Sequence, residues 1–317
     1  MTRRPGIISN PLSRAGRDTR AGFGTAAGGL PRAEPASRDE LRDALRNFAA
    51  REVDLLAVQG GDGTLREVLT ALPSAGFDGN PPEIAVLAAG KTNLAARVLG
   101  SAGMGEAALR RLLDAAGRGM LKRRPLPVLE VSRPGLDEDD APPLRGVLFG
   151  AAAFTEGKKL ADSRLHRRGV HDGAAVALAF AGIALRAGLD RGHALRAGVP
   201  MAVAPDDRPA REGRRFLLLA TTLDRLMLGL RPFWGDGRGA VRWLDVLAPP
   251  RRLAAALWAG ARGRPRPWMQ AAGYCSGRAE RLRVGLDGPF VLDGEVFEPG
   301  PQGLLLSAPA QVTFVSP

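Results

Sequence analysis

The fold is decided by Val53-Asp54-Leu55-Leu56-Ala57-Val58-Gln59-Gly60-Gly61-Asp62-Gly63-Thr64-Leu65-Arg66-Glu67-Val68-Leu69-Thr70-Ala71-Leu72. Residues 53–58 are apolar and partly β-branched, which predicts a buried strand. From Leu65 onward the apolar positions fall at 65, 68, 69 and 72, the spacing of an amphipathic helix. Between them, Gly60, Gly61 and Gly63 flank Asp62, and Thr64 follows. Glycines let backbone amides face a concave turn and let a ligand approach the main chain. A helix N-terminus behind such a turn attracts anions, phosphate above all. Two readings stand open from these residues alone: a phosphate cradle, or a plain strand-to-helix turn with Thr64 as N-cap.

Outward from this stretch, the same unit recurs. Gly6-Ile7-Ile8-Ser9 predicts a first strand, closed by the turn signature Asn10-Pro11-Leu12-Ser13. Residues 14–36 show no clear period and are read as a loop. Leu41, Leu45, Phe48 and Ala49 predict a helix over 38–50 with Ser37 as N-cap. Ile84-Ala85-Val86-Leu87-Ala88 predicts another buried strand, followed by a second glycine turn, Ala89-Gly90-Lys91-Thr92-Asn93, and a helix from Leu94 to Leu99 ended by Gly100. Leu109, Leu112, Leu113 and Met120 predict a helix over 105–120. Alternating strands and helices imply a mostly parallel sheet covered by helices. Ligands of such sheets lie at the carboxyl ends of the strands. Both glycine turns hold that position, which predicts one shared pocket.

After Lys122 the texture changes. Strands are expected at 126–132, 145–154, 199–204, 214–222, 240–248, 280–286 and 303–308, with helices at 172–188 and at 251–261 on Leu253, Ala256, Leu257 and Ala259. The expected architecture is an N-terminal α/β nucleotide-binding domain, three-layered with a mostly parallel sheet, and a C-terminal β-sandwich. The boundaries are 1–125, joined by the tail 305–317, and 126–304.

The 317 residues suit about two domains. The single cysteine, Cys275, excludes an intrachain disulfide and fits a reducing compartment. Residues 1–6 lack the apolar core of a signal peptide, and the longest apolar run, 174–185, falls short of the ~20 residues of a membrane span. A cytoplasmic protein is expected. The net charge of +12 favours acidic partners: nucleotides, an anionic membrane surface or nucleic acid. No aromatic–basic interleaving supports a single-strand binder, so no nucleic-acid partner is expected.

Three motifs fall in order: Asn10-Pro11 after the first strand, the turn Gly60 to Thr64, and Val291-Leu292-Asp293-Gly294-Glu295 near the end. Together they resemble the diacylglycerol kinase catalytic-domain family, which includes bacterial lipid kinases and sphingosine kinases and is grouped with NAD kinases. The segment Gly239 to Val246, then a proline and the helix at 251–261, is similar to the family's pre-catalytic segment. The resemblance implies an ATP-dependent, Mg²⁺-requiring kinase of a lipid hydroxyl. It implies a nucleotide in a cleft between two domains and held by Asn10, Gly60, Gly61, Asp62, Gly63, Thr64, Glu67, Gly90, Lys91, Thr92 and Asn93. Glu295 takes the place of the proton acceptor, with Asp293 the close second. Contact with the inner membrane face is implied, and a homodimer is left open.

The residue types agree with that chemistry. Phosphoryl transfer is mostly positioning and charge neutralisation, with a carboxylate accepting the hydroxyl proton. In an extended segment Asp293 and Glu295 point to the same side. Alone, Asp-Gly-Glu is also an ordinary hairpin turn. The sequence departs from the family at Lys91, where a threonine is common, at Leu94, which replaces an acid, and at Arg66, which replaces an asparagine. Residues 150–159 are Ala-rich where the family is often Asn-rich. A kinase of a soluble acceptor such as NAD, and a non-catalytic nucleotide- or membrane-binding protein, are the competing readings.

Of the remaining residues, His166 and His171 beside Arg164, Arg167 and Arg168 read as a solvated basic loop, and His193 as an isolated side chain. Cys275 reads as buried, and Asp137 to Asp140 as an exposed loop without EF-hand spacing. Trp234, Trp243, Trp258 and Trp268 read as core. For Trp258 and Trp268, beside Arg262, Arg264 and Arg266, membrane contact is the alternative.

Overall fold

The computed structural model describes residues 3–10, 28–77, 79–88, 100–137, 141–158, 194–226 and 230–317. Expectations for the turn Gly90 to Asn93, the helices at 94–99 and 172–188, the loop at 14–27, Glu138 to Asp140, and His166, His171 and His193 fall outside these residues. The chain forms two compact units, Met1–Leu126 with Gln311–Pro317, and Pro127–Ala310.

The first unit is built on parallel strands. β1 (Pro5–Ser9) pairs with β2 (Arg32–Ala33) on one side and with β3 (Leu55–Gly60) on the other. β3 pairs with β4 (Glu83–Ala88), and β4 takes Phe314 and Val315, near the end of β15 (Leu304–Ser316), as its other neighbour. The order is thus β2-β1-β3-β4-β15. All six residues of β3 are buried, as a strand covered on both faces requires. α1 (Arg38–Ala50) is capped as expected: Ser37 Oγ accepts from Glu40 N at 3.1 Å. α2 (Asp62–Ala71) follows β3 directly, and α3 (Gly105–Gly117) follows β4. Strand alternation sends Leu55, Ala57, Ala85 and Leu87 to the α3 face, where they pack with Leu109 and Leu112. The residues 32–33 expected in a loop instead extend the sheet edge. Met120, expected on the apolar face of α3, lies beyond that helix and is 66% exposed.

The second unit is strand-rich and antiparallel. It contains most of β5 (Lys122–Ser132), then β6 (Leu144–Gly146), β7 (Leu148–Ala152), β8 (Val199–Pro205), β9 (Arg211–Thr221), β10 (Val241–Leu247), β11 (Tyr274–Ala279) and β12 (Arg281–Leu286), and also β13 (Phe290–Leu292) and β14 (Glu295–Phe297). β9 is central. Its first half pairs with β8, its second half with β7, and its other edge with β10 along most of its length. The expected strand at 145–154 breaks at residue 147, and residues 153–158 are helical. One apolar core gathers Phe149, Leu218, Trp243, Leu282, Phe290 and Leu306. Inside this unit Asp245 and Arg215 form a buried ion pair, Nε to Oδ1 at 2.8 Å, with Arg211 Nη2 on Oδ2 at 3.0 Å. Burial pushes the Asp245 carboxyl up against the pull of both arginines. Removing one partner of such a pair costs about 3–5 kcal/mol, because the other is left buried and uncompensated.

α4 (Leu253–Ala261) and α5 (Pro267–Ala271) cover part of the second unit through Leu253, Ala256, Ala259 and Met269. Leu257, expected among the core-facing positions of α4, is 41% exposed, and Trp258, read as core, is 60% exposed. The core face of α4 runs through 253, 256 and 259, and 257 and 258 lie outside it. Trp243 is buried as expected, and Cys275 is partly buried against the core.

Candidate active site

The first group of residues gathers at the carboxyl end of the parallel sheet. β3 ends at Gly60, Gly61 is the N-cap of α2 with extended backbone (φ −90°, ψ −173°), and Leu65 N donates to Gly61 O at 3.1 Å. Gly61 therefore occupies the cap position that the plain-turn reading gave to Thr64. Thr64 sits in the first turn instead, and its side chain folds back over Gly60. A Cβ on Gly60 would lie 2.4 Å from Thr64 Cβ and Oγ1, so only glycine fits there. Asn10 completes the arrangement: its Nδ2 donates to Thr64 Oγ1 at 2.9 Å and its backbone N to Gln59 O at 3.0 Å. Asn10 and Thr64, 54 positions apart, thus tie the end of β1 to the first turn of α2.

Behind the brace, the first-turn amides of Asp62, Gly63 and Thr64 have no carbonyl within α2 to bond, the general condition of a helix start. With the positive end of the helix dipole they suit an anion. Glu67, one turn on, receives Arg38 Nε at 3.0 Å and Arg66 Nη2 at 2.5 Å. Arg66 is 1% exposed, so the departure from asparagine buries a cation and neutralises Glu67. Beside the turn, Ser9 Oγ donates to Gln59 Oε1 at 3.0 Å. Both residues are buried, and Gln59 Nε2 has no partner among the described residues. Neither residue stands out in the sequence, where Gln59 lies between the apolar run 53–58 and the glycine turn.

The second group lies in the other unit. β13 and β14 form a hairpin in which Leu292 pairs with Glu295, leaving Asp293-Gly294 as a two-residue loop. Both loop residues are left-handed (φ 48° and 84°), as a type I′ turn demands. The expectation that Asp293 and Glu295 extend to one side is therefore overturned, because the turn separates them. Asp293 is anchored: its carboxylate accepts from Val147 N at 3.0 and 3.1 Å and from Leu148 N at 2.9 Å, and its own N donates to Leu148 O at 2.9 Å. Gly146 makes room, since a Cβ there would lie 2.4 Å from Asp293 Oδ2. Glu295 is exposed.

Lys158 is a further candidate that the sequence does not single out. Its Cε lies 3.9 Å from where a Cβ on Gly294 would be. It ends the helical residues 153–158, which are tied to the hairpin by Thr155 Oγ1 donating to Pro289 O at 3.2 Å. Its only sequence signal is being one of four lysines among 45 basic residues. Among the described residues no group of three His, Cys, Asp or Glu side chains is arranged to hold a metal ion.

A parallel sheet with a braced glycine turn at its carboxyl edge, followed by an antiparallel unit, is a fold that known structures share. Residues 30–120 match the diacylglycerol kinase catalytic domain, the family that the motifs resemble. A candidate diacylglycerol kinase from Bacillus anthracis str. Sterne is similar over 98% of this chain and 96% of its own, with a TM-score of 0.63 and 14% identity. A second structure described as a diacylglycerol kinase of that organism has a TM-score of 0.58 at 13% identity, over 98% and 96% of the two chains. Yeast NADH kinase complexed with NADH is similar over 100% of this chain and 84% of its own, with a TM-score of 0.53 and 10% identity. No curated protein matches the sequence. Among the described residues no helix is long and apolar enough to cross a membrane.

Proposed function

We propose that this protein is an ATP-dependent lipid kinase that transfers the γ-phosphoryl group to a lipid hydroxyl of the diacylglycerol or sphingoid kind. The observation that carries the reading is the pair of turns: a phosphate-type glycine turn inside the segment 30–120, and an Asp-Gly-Glu hairpin that anchors Asp293 while leaving Glu295 accessible. Asp62, Gly63 and Thr64 offer amides to the donor phosphates, with Asn10, Gly60 and Gly61 shaping the turn. Gly90, Lys91, Thr92 and Asn93 join them on sequence grounds, and Lys91 meets phosphate as a point charge. Glu295 takes the proton of the attacking hydroxyl. Asp293 positions it by fixing the turn.

Magnesium, when bound, neutralises phosphate charge. Such an ion is held by one or two carboxylates together with phosphates and waters, not by a protein cage. Asp62, the acid in the first turn of α2, fits that pattern. The site of action is the cytoplasmic membrane face.

The test is phosphorylation of a total lipid extract with labelled ATP, with the product identified by mass. The expected result is one labelled lipid, with kcat lowered about 10²–10⁴-fold in Glu295→Gln, the usual worth of a general base. Absence of any labelled lipid, together with no rise in melting temperature on adding ATP, refutes the reading. The likeness to yeast NADH kinase favours a second acceptor, a dinucleotide; turnover of NAD in the absence of lipid would select it.

A further inference from the structure

α4 reads Leu-Ala-Ala-Ala-Leu-Trp-Ala-Gly-Ala, with no polar side chain on any face. A helix apolar all round belongs in an interior, yet only one side of α4 is covered. Leu253, Ala256 and Ala259 pack inward, while Ala254, Ala255, Leu257 and Trp258 face outward and are exposed. The outward face is rimmed by cations. Arg251, Arg252, Arg262, Arg264 and Arg266 are all exposed, and none pairs with a carboxylate among the described residues. The sequence holds no Asp or Glu from Val246 to Ala279. Two of these arginines lie over indoles: Arg262 is 3.8 Å from the Trp258 ring and Arg252 is 5.2 Å from that of Trp268. The root of the helix is fixed by Tyr274, whose hydroxyl donates to Arg251 O at 2.7 Å. Burial pushes the Tyr274 phenol up to about 12, so it stays a donor at neutral pH.

We infer that α4 and the adjoining arginines form the docking face for an anionic lipid bilayer, with Leu257 and Trp258 entering the interface and the arginines meeting the headgroups. Charge complementarity selects this occupant. A second copy of the chain would set five arginines against five, a like-charge contact that costs affinity. Nucleic acid would use the cations but has no use for an aliphatic and an indole side chain beside an all-apolar helix. An interfacial helix uses both: apolar area buried at the acyl boundary and cations drawn to acidic headgroups. The inference goes beyond phosphoryl transfer and does not need it, since the face would dock whether or not the acceptor is a lipid.

The experiment is sedimentation of the full chain with sucrose-loaded vesicles, without nucleotide. One vesicle is phosphatidylcholine alone, the other phosphatidylcholine with about a third phosphatidylglycerol. Binding is expected only to the anionic vesicle. It should fall at least about tenfold in Leu257→Ser/Trp258→Ser, and about fivefold for each of Arg251, Arg264 and Arg266 replaced by Gln. Trp258→Phe should remove the blue shift of tryptophan emission that vesicles produce. Both Leu257 and Trp258 are exposed, so the double variant should melt with the wild type, which separates lost docking from lost folding. Equal binding to both vesicles overturns the inference. So does wild-type binding by the double variant, or dependence on the arginines without the apolar pair, the pattern of a nucleic-acid surface. Vesicle binding that persists while no lipid is phosphorylated and ATP does not raise the melting temperature would defeat the lipid-kinase reading and leave the docking face standing.

Discussion

The glycine turn after β3 and the Asp-Gly-Glu hairpin use glycine for opposite reasons. After β3, Gly60 lies outside the left-handed region, and it is the fold of the Thr64 side chain over its Cα that excludes a Cβ. At the Asp-Gly-Glu hairpin, Gly294 has space around it, and what excludes other residues is a φ of 84°. The first turn is a packing constraint imposed by a neighbour. The second is a chirality constraint imposed by the backbone. The acids of the two turns differ as well. Asp62 opens a helix whose amides are directed outward, whereas Asp293 spends its carboxylate on the amides of Val147 and Leu148. A similar Gly-Asp vocabulary thus builds a strand-to-helix turn in one unit and a strut in the other.

The largest effect that would break this contrast concerns the strut. Asp293→Ala strands two backbone amides at the start of β7 and removes the anchor of the turn. The expected loss is about 2–4 kcal/mol of stability, in the range for hydrogen bonds to charged acceptors, measured by urea unfolding. Glu295→Gln, at an exposed position, should leave the unfolding midpoint where it was. If Asp293→Ala unfolds with the wild type while losing turnover, then Asp293 acts on substrate and the strut reading falls.

The contrast also explains what could be read in advance. The strand–turn–helix at 53–72 and the Ser37 cap are legible because their determinants are local: apolar spacing, a glycine cluster, a serine three residues before a glutamate. The anchor at Asp293 depends on amides 145 and 146 positions away, and nothing in the sequence around 293 names them. A plain hairpin and a catalytic segment look alike in Asp-Gly-Glu, and the hairpin is what the structure shows. β2 is two residues long and β11 carries Gly277 and Arg278, so neither shows an apolar pattern. Periodicity also cannot tell which side of α4 is covered, because every residue of that helix is apolar. Leu257 and Trp258 therefore read as inward from sequence, and their exposure becomes visible only once 253, 256 and 259 are seen to face the core.

A smaller effect sharpens the packing half of the comparison. Gly60→Ala pushes a methyl into Thr64 and should cost about 1–3 kcal/mol, as overpacking does, while raising KM for ATP as the turn shifts. Because the clash is with one side chain, Thr64→Gly in the same chain should recover part of the loss, giving a favourable coupling between the two positions. Additive losses across this double-mutant cycle would show that glycine is needed at 60 for something other than Thr64.

The smallest effect tests the chirality half. Gly294→Ala meets no heavy atom closer than Lys158 Cε at 3.9 Å, so overpacking contributes nothing. Its whole cost is the left-handed backbone, about 1–2 kcal/mol for a residue with a Cβ. Asn tolerates that conformation better, so Gly294→Asn should recover part of the loss even though its side chain is larger. This order, alanine worse than the bulkier asparagine, is the reverse of what a crowded site produces, and at Gly60 asparagine should be worse than alanine. Measuring the four variants by urea unfolding therefore separates the two constraints by sign: the same order at both positions would mean that one kind of constraint governs both turns.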